Sequence, residues 1–438
     1  MNSRFSQFSV AISLVLTSML ILPATPFRFA VRANTTTPAR YGVTDLGTLG
    51  GTYSFAYAIN NSGLVTGGAA TTTQTDFISQ TAFLSYGDQP INVGTLGGSS
   101  CPDCNSEGSA PSANGTVAMI SETAAADPNG EDFCEFGTHR QCLAAVWRSG
   151  TLSALPTLPG GNNSEAYFAN KKGEIVGVSE TATADADCAT SSQMRRFAGV
   201  KWSPDGSPTE LSPLQGDTVS FAFTNNDRGQ AVGFSGLCSN VTLPPFLPPA
   251  APHAVLWDSD GTPNDLGEPQ GGAGNNVAVG INNQSQVTMN SVMSDGSIHA
   301  FVWSKGVNMD LGTYPSDASI TVAPCCNNIN NRGQIVGFSI DSSFNQRALL
   351  WEDQNSQPVD LNSLLASDSP WYILSPGGIN DSGEIAATAL NLNTFEVHAV
   401  LLSPINGVGP AARGATSSPS VPEQARKMLR RQIPQRRD

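Results

Sequence analysis

Long apolar runs are missing from this chain of 438 residues. The longest, Val10–Leu22, has 13 residues, short of the roughly 20 that cross a bilayer as a helix. Preceded by Arg4, it reads as a secretory signal over residues 1–33 with cleavage after Ala33, an uncleaved anchor being the alternative. No other segment could cross a membrane, so the mature chain is expected to have no transmembrane helix and to be secreted, at the cell surface or periplasmic. Charge is also scarce: 13% of residues are charged, 36 acidic against 22 basic. Within 34–405 there are 12 basic residues against 34 acidic. Such a body repels phosphate backbones, which excludes DNA or RNA as a partner. Helix-forming runs are nearly absent, and no G-x-S-x-G elbow stands in a strand-to-helix context.

What the chain has is glycine (43), proline (29) and repetition. The stretch Ile329-Asn330-Asn331-Arg332-Gly333-Gln334-Ile335-Val336-Gly337 reads strand, turn, strand, its Asn and Gly tolerating the positive φ of a tight hairpin. Variants of it place turn positions at 63, 115, 173, 229, 285, 333 and 383, with gaps of 52, 58, 56, 56, 48 and 50 residues. That period suits propeller blades. A second signature follows each turn, an apolar strand such as His253–Trp257, His299–Trp303 or Arg347–Trp351, apolar on both faces and therefore buried between neighbouring sheets. A third strand ends near Asp-Leu-Gly, as at Asp265-Leu266-Gly267 and Asp310-Leu311-Gly312. The best copy of that strand, Asp45-Leu46-Gly47, stands before the first repeat, while the last repeat lacks one. The expected fold is all-β: a seven-bladed β-propeller of four-stranded blades over 34–405, closed by an N-terminal strand completing the last blade. Residues 406–438 are expected to be a disordered basic tail.

The combination of Asp45–Gly51, Ile329–Gly337 and His299–Trp303, read as D-L-G-T-L-G-G, I-N-N-x-G-x-I-V-G and H-A-F-x-W, resembles the HAF-repeat family of probable extracellular bacterial proteins. The resemblance covers about 41–403 and implies a secreted repeat protein without an assigned reaction. It brings no catalytic residues to carry over.

Candidate sites are few. Cys101, Cys104, Cys134, Cys142, Cys188, Cys238, Cys325 and Cys326 make an even set in an exported chain, as disulfides require. Cys101-Pro102-Asp103-Cys104 has redox spacing but no helix to activate a thiolate. Asp127, Asn129 and Glu131 present oxygen at alternate positions, as a loop around Ca²⁺ would; otherwise no cofactor is expected. His253, His299 and His398 occupy equivalent positions of different repeats, so they cannot meet on one metal and are expected to bond to nearby backbone. Long segments near Ser121–Cys142, Glu180–Phe197 and Ser235–Pro252 gather on one face, where a ligand is expected. The first functional reading is a monomeric, non-enzymatic extracellular scaffold that binds a carbohydrate, peptide or protein. The alternative is a propeller hydrolase or lyase with carboxylates or a bound cation at the central channel, because such carboxylates come from different blades and leave no local motif.

Overall fold

The computed structural model describes residues 40–405 apart from 75–78, 189–193, 242–250, 316, 323–326 and 342–345, together with Glu423. The expected signal, most of the basic tail, and Cys325 and Cys326 lie outside the described residues.

Regular structure is almost entirely strand. β1 (Arg40–Asp45) precedes β2 (Gly50–Ile59), β3 (Val65–Thr71), β4 (Thr81–Ser85) and β5 (Ile91–Asn92). Five four-stranded antiparallel sheets follow. They are β6 (Ser106–Pro111) with β7 (Val117–Ala126), β8 (Arg140–Arg148) and β9 (Thr151–Ala154); β10 (Ser164–Ala169) with β11 (Ile175–Ala184), β12 (Arg195–Trp202) and β13 (Pro208–Leu211); β14 (Val219–Asn225) with β15 (Ala231–Gly236), β16 (His253–Trp257) and β17 (Pro263–Asp265); β18 (Gly272–Ile281) with β19 (Val287–Met293), β20 (Ile298–Ser304) and β21 (Val307–Asp310); and β22 (Asp317–Val322) with β23 (Ile335–Asp341), β24 (Gln346–Trp351) and β25 (Val359–Asp360). The last repeat supplies β26 (Trp371–Ile379), β27 (Ile385–Asn391) and β28 (Val397–Ile405). β1 lies antiparallel on β28, from Arg40 opposite Ile405 to Asp45 opposite Val400. A parallel pair, Tyr53 with Val397, joins this group to β2–β5. The fold is all-β and propeller-like, with no helix among the described residues long and apolar enough to cross a membrane.

The turns differ from the sequence expectation in which residue does what. Gly333 has φ +82, but neither Asn330 nor Asn331 is among the positive-φ residues. Asn330 N donates to Gln334 O and Gly333 N to Asn330 O, a wider hairpin than a two-residue turn. Asn330 works through its side chain: Oδ1 accepts from Arg332 N and Gln334 N, both near 3.0 Å, while Nδ2 donates to Asn380 O of the next repeat at 2.9 Å. The same bond runs from Asn60 to Ser112, Asn170 to Asn226, Asn226 to Asn282, Asn282 to Asn330, and Asn380 back to Asn60. The Gly ending I-V-G has its own cause: a Cβ on Gly337 would lie 2.2 Å from Thr321 O of the neighbouring strand.

The Trp-bearing strands are buried as expected, with Trp202, Trp257 and Trp351 fully covered. Their indole nitrogens donate to Pro156 O, Ser212 O and Leu311 O in the preceding repeat, so each ring satisfies its polar atom while filling the gap between sheets.

Candidate functional site

The histidines take carboxylate partners rather than the backbone expected. Nδ1 of His299 lies 2.8 Å from Asp310 and that of His398 2.9 Å from Asp45, with His253 to Asp265 at 3.5 Å. The His of the third strand thus clamps the Asp of the fourth. Arg347 replaces it in the sixth repeat, bonding Asp360 and Asp317 at 3.1 Å each.

Six cysteines pair as Cys101–Cys104, Cys134–Cys142 and Cys188–Cys238. The last ties the segment after β11 to the segment after β15. In the Asp127 loop the candidate oxygens accept from the protein's own donors. Asp127 Oδ1 accepts from Asn129 N and Glu131 N, and Oδ2 from Asn163 Nδ2 at 2.7 Å. Glu131 accepts from Asn129 Nδ2 and Met194 N. Protein N–H groups stand where Ca²⁺ would need open oxygens, and among the described residues no group of three or more His, Cys, Asp or Glu is arranged for a metal. What the loop meets instead is Glu180, whose carboxyl is pushed up to about 8 by burial and by Glu131.

The first strands β26, β2, β6, β10, β14 and β18 lie beside one another in that order. A cavity of about 310 Å³ is lined by Asn61, Ala113, Lys171, Asp227, Asn283, Asn331 and Asp381, one residue from each of the seven turns. These side chains are largely engaged with one another: Asp381 accepts from Asn331 and Asn61, and Asp227 from Lys171 and Asn283. The cavity is polar, and its rim is built from groups that hold neighbouring repeats together.

Chemistry concentrates nearer the loop end. Glu107 on β6 pairs with Ile120, and Glu165 on β10 pairs with Val178, which is the register at which Phe221 on β14 pairs with Phe234. Two adjacent first strands therefore present carboxyls at one level. Glu107, half-buried, accepts from Gln80 Nε2 at 2.9 Å, and Gln80 Oε1 accepts from Tyr57 OH at 3.1 Å. Glu165, 7% exposed, accepts from Tyr167 OH at 2.6 Å. Burial pushes Glu107 up to about 7, the Gln80 bond opposing. Burial likewise pushes Glu165 up to about 8, opposed by Tyr167 and reinforced by repulsion from Glu107 and Glu135. Glu135 comes down from the loop between Phe133 and Phe136, both buried in one cluster with Tyr167, Phe221 and Phe223. Its carboxyl too is pushed up to about 8, by burial and then Asp132. Two carboxyls of unequal proton affinity, close enough to repel, are the equipment of general acid–base chemistry.

Sequence reading did not single out Glu107 or Glu165. A signal was present: Ser54-Phe55-Ala56 and Ser220-Phe221-Ala222 have Phe where Ser106-Glu107-Gly108 and Ser164-Glu165-Ala166 have Glu.

No protein-family model matches the chain, and no curated protein matches it. Among solved structures it is similar to a puromycin hydrolase at 12% identity and TM-score 0.48, over 85% of this chain and 57% of that one. A structure from a study of two prolyl endopeptidases is similar at 11% and 0.49, over 81% and 51%. A third, virginiamycin B lyase from Staphylococcus aureus, is similar at 11% and 0.41, over 83% and 100%. The chain thus spans little more than half the length of the first two. At 11–12% identity these are likenesses of fold; it is the pair of buried carboxyls on β6 and β10 that turns the reading from the non-enzymatic extracellular scaffold first expected to its alternative, a hydrolase or lyase.

Proposed function

We propose that the chain is a hydrolase or lyase whose proton transfers are carried by Glu107 and Glu165 in the central channel of a seven-bladed propeller. The observation that supports this reading is the placement of both carboxyls at one register on adjacent first strands, each held by its own donor, Gln80 or Tyr167. Glu107, the less strongly protonated, takes a proton from water or from a carbon beside an electron-withdrawing group. Glu165 keeps its proton through neutral pH and delivers it to the leaving group. Ring closure is part of the same proposal, since only a ring returns the first strands to a common axis. Its support is the Asn380–Asn60 bond, the β1–β28 pairing and the His398–Asp45 contact.

The test is a screen of chromogenic peptide anilides, esters and glycosides, followed by Glu107→Gln on whichever substrate turns over. A general base contributes about 10²–10⁴ in rate, so the variant should lose at least about a hundredfold in kcat with its fold intact. Undiminished turnover in Glu107→Gln and Glu165→Gln would remove the pair from the chemistry.

A further inference from the structure

The turns that line the polar cavity are stitched together by a second set of bonds, made at the residue after Asn330 and at its equivalents. There the backbone N–H of one turn donates to a side-chain oxygen at the same position of the next turn. Lys171 N donates to Asp227 Oδ1 at 3.1 Å, Asp227 N to Asn283 Oδ1 at 2.9 Å and Asn283 N to Asn331 Oδ1 at 2.9 Å. Asn331 N donates to Asp381 Oδ1 and Asp381 N to Asn61 Oδ1, both at 2.8 Å. The series stops there. The next acceptor would be the side chain of Ala113, which is a methyl group, and the acceptor for Ala113 N would be Lys171, whose ammonium only donates. The turn bearing Ala113 otherwise keeps the common frame: Ser112 N donates to Thr116 O, Gly115 N to Ser112 O, and Asn60 Nδ2 to Ser112 O. Among the described residues, Asn61 N and Ala113 N therefore donate to no protein group, at the place where the equivalent turns have a bond.

We propose that this gap in the ring is a binding site for a carboxylate, which accepts from Asn61 N and Ala113 N with the Lys171 ammonium alongside. The ring supplies the precedent, because the groups that fill the same place elsewhere are the carboxylates of Asp227 and Asp381 and the carboxamides of Asn61, Asn283 and Asn331. A carboxylate replaces the missing acceptor and makes charge-assisted bonds, stronger than those of a neutral oxygen. Charge also selects the gap over the rest of the rim. Lys171 Nζ lies 3.1 Å from Asp227 Oδ2 on a side chain 60% exposed, so it borders the gap with donors to spare. The rim acids are already engaged, Asp227 by Lys171 and Asn283 and Asp381 by Asn61 and Asn331. Their charges repel an anion from the middle of the cavity and leave the Asn61–Lys171 edge as its place. Asn61 and Ala113 are exposed, so a ligand reaches their amides without any strand moving. Asn114 Nδ2, 3.4 Å from Lys171 O, ties the two turns that flank the gap. Glu107 and Glu165 take no part in this site, which stands or falls apart from the catalytic reading.

The experiment follows amide chemical shifts of the full chain during titration with sodium acetate, with sodium chloride at matched ionic strength as the control. The amides of Asn61 and Ala113 should move saturably with acetate and not with chloride, while Gly333 N, bonded to Asn330 O, stays in place. Ala113→Asn supplies the missing acceptor and should abolish the Asn61 response; Ala113→Asp closes the ring in the same way if the first variant folds poorly. Lys171→Met should weaken acetate by about tenfold, the worth of one charge-assisted bond. A second arm uses N-acetyl-triglycine and its C-terminal amide. Tighter binding of the peptide acid than of acetate assigns the site to chain ends, equal binding assigns it to small carboxylates, and in both cases the amide form should not compete. No saturable shift at either amide, the same shift with chloride, or a response that survives ring closure overturns the site.

Discussion

His398 Nδ1 lies 2.9 Å from Asp45 Oδ1 although 353 residues separate them in the chain. His299 and Asp310 form the same contact only eleven residues apart. The first described strand therefore supplies to the last repeat what other repeats supply to themselves. Asp45→Ala should cost about 0.5–1 kcal/mol, the net value of one hydrogen bond, whereas deleting residues up to Asp45 uncovers the edge of β28 and should lower Tm by well over 10 °C. Equal melting temperatures for the deleted and intact chains would show that β1 contributes nothing to the last sheet.

Gly333→Val isolates backbone strain. Its added Cβ has room, the nearest atom being Gln286 Oε1 at 3.7 Å, so the cost comes from φ +82 alone. A loss of about 1–2 kcal/mol is expected in urea unfolding, and an unchanged midpoint would contradict the turn geometry.

Removing the Cys188–Cys238 bridge as a double serine variant frees a loop of sequence separation 50. Chain entropy puts the expected loss at about 4 kcal/mol, against a much smaller one for Cys101–Cys104, whose loop spans 3 residues. Comparable losses from both pairs would mean that loop length is not what the bridges act through.

The repeat was legible because turn and packing chemistry is local. Gly333 and its equivalents mark the hairpins, and Trp202, Trp257 and Trp351 mark the buried third strands of their repeats, so the strands could be placed from periodicity. The work of Asn330 was misassigned, since its bonds reach the next repeat and only the fold reveals that partner. Glu107 and Glu165 stayed hidden for the same reason: they stand 58 positions apart in the sequence, and nothing beside either one shows that their strands are neighbours. At the Asp127 loop the sequence left two readings open, because alternate oxygens look alike whether they bind a cation or cap their own backbone N–H groups.

Stability should fall as pH rises. The folded chain keeps protons on Glu107, Glu135, Glu165 and Glu180 that the unfolded chain releases around 4.5. Folded protein therefore binds more protons between about pH 4.5 and 8, and ΔG of unfolding declines across that window. Thermal melts at pH 5 and pH 8.5 should differ in that direction, and Glu165→Gln should shrink the difference. A Tm that climbs over the same interval would contradict the protonation of these buried carboxyls.

The pH–rate profile of kcat/KM, taken for wild type and Glu165→Gln on a substrate found by the screen, tests the central claim most directly. If Glu107 accepts and Glu165 donates the proton, the wild-type profile is a bell with limbs near pH 7 and 8, and Glu165→Gln loses the alkaline limb along with at least about a hundredfold in rate. A variant that keeps both limbs and the wild-type rate would contradict the assignment of the channel carboxyls to catalysis.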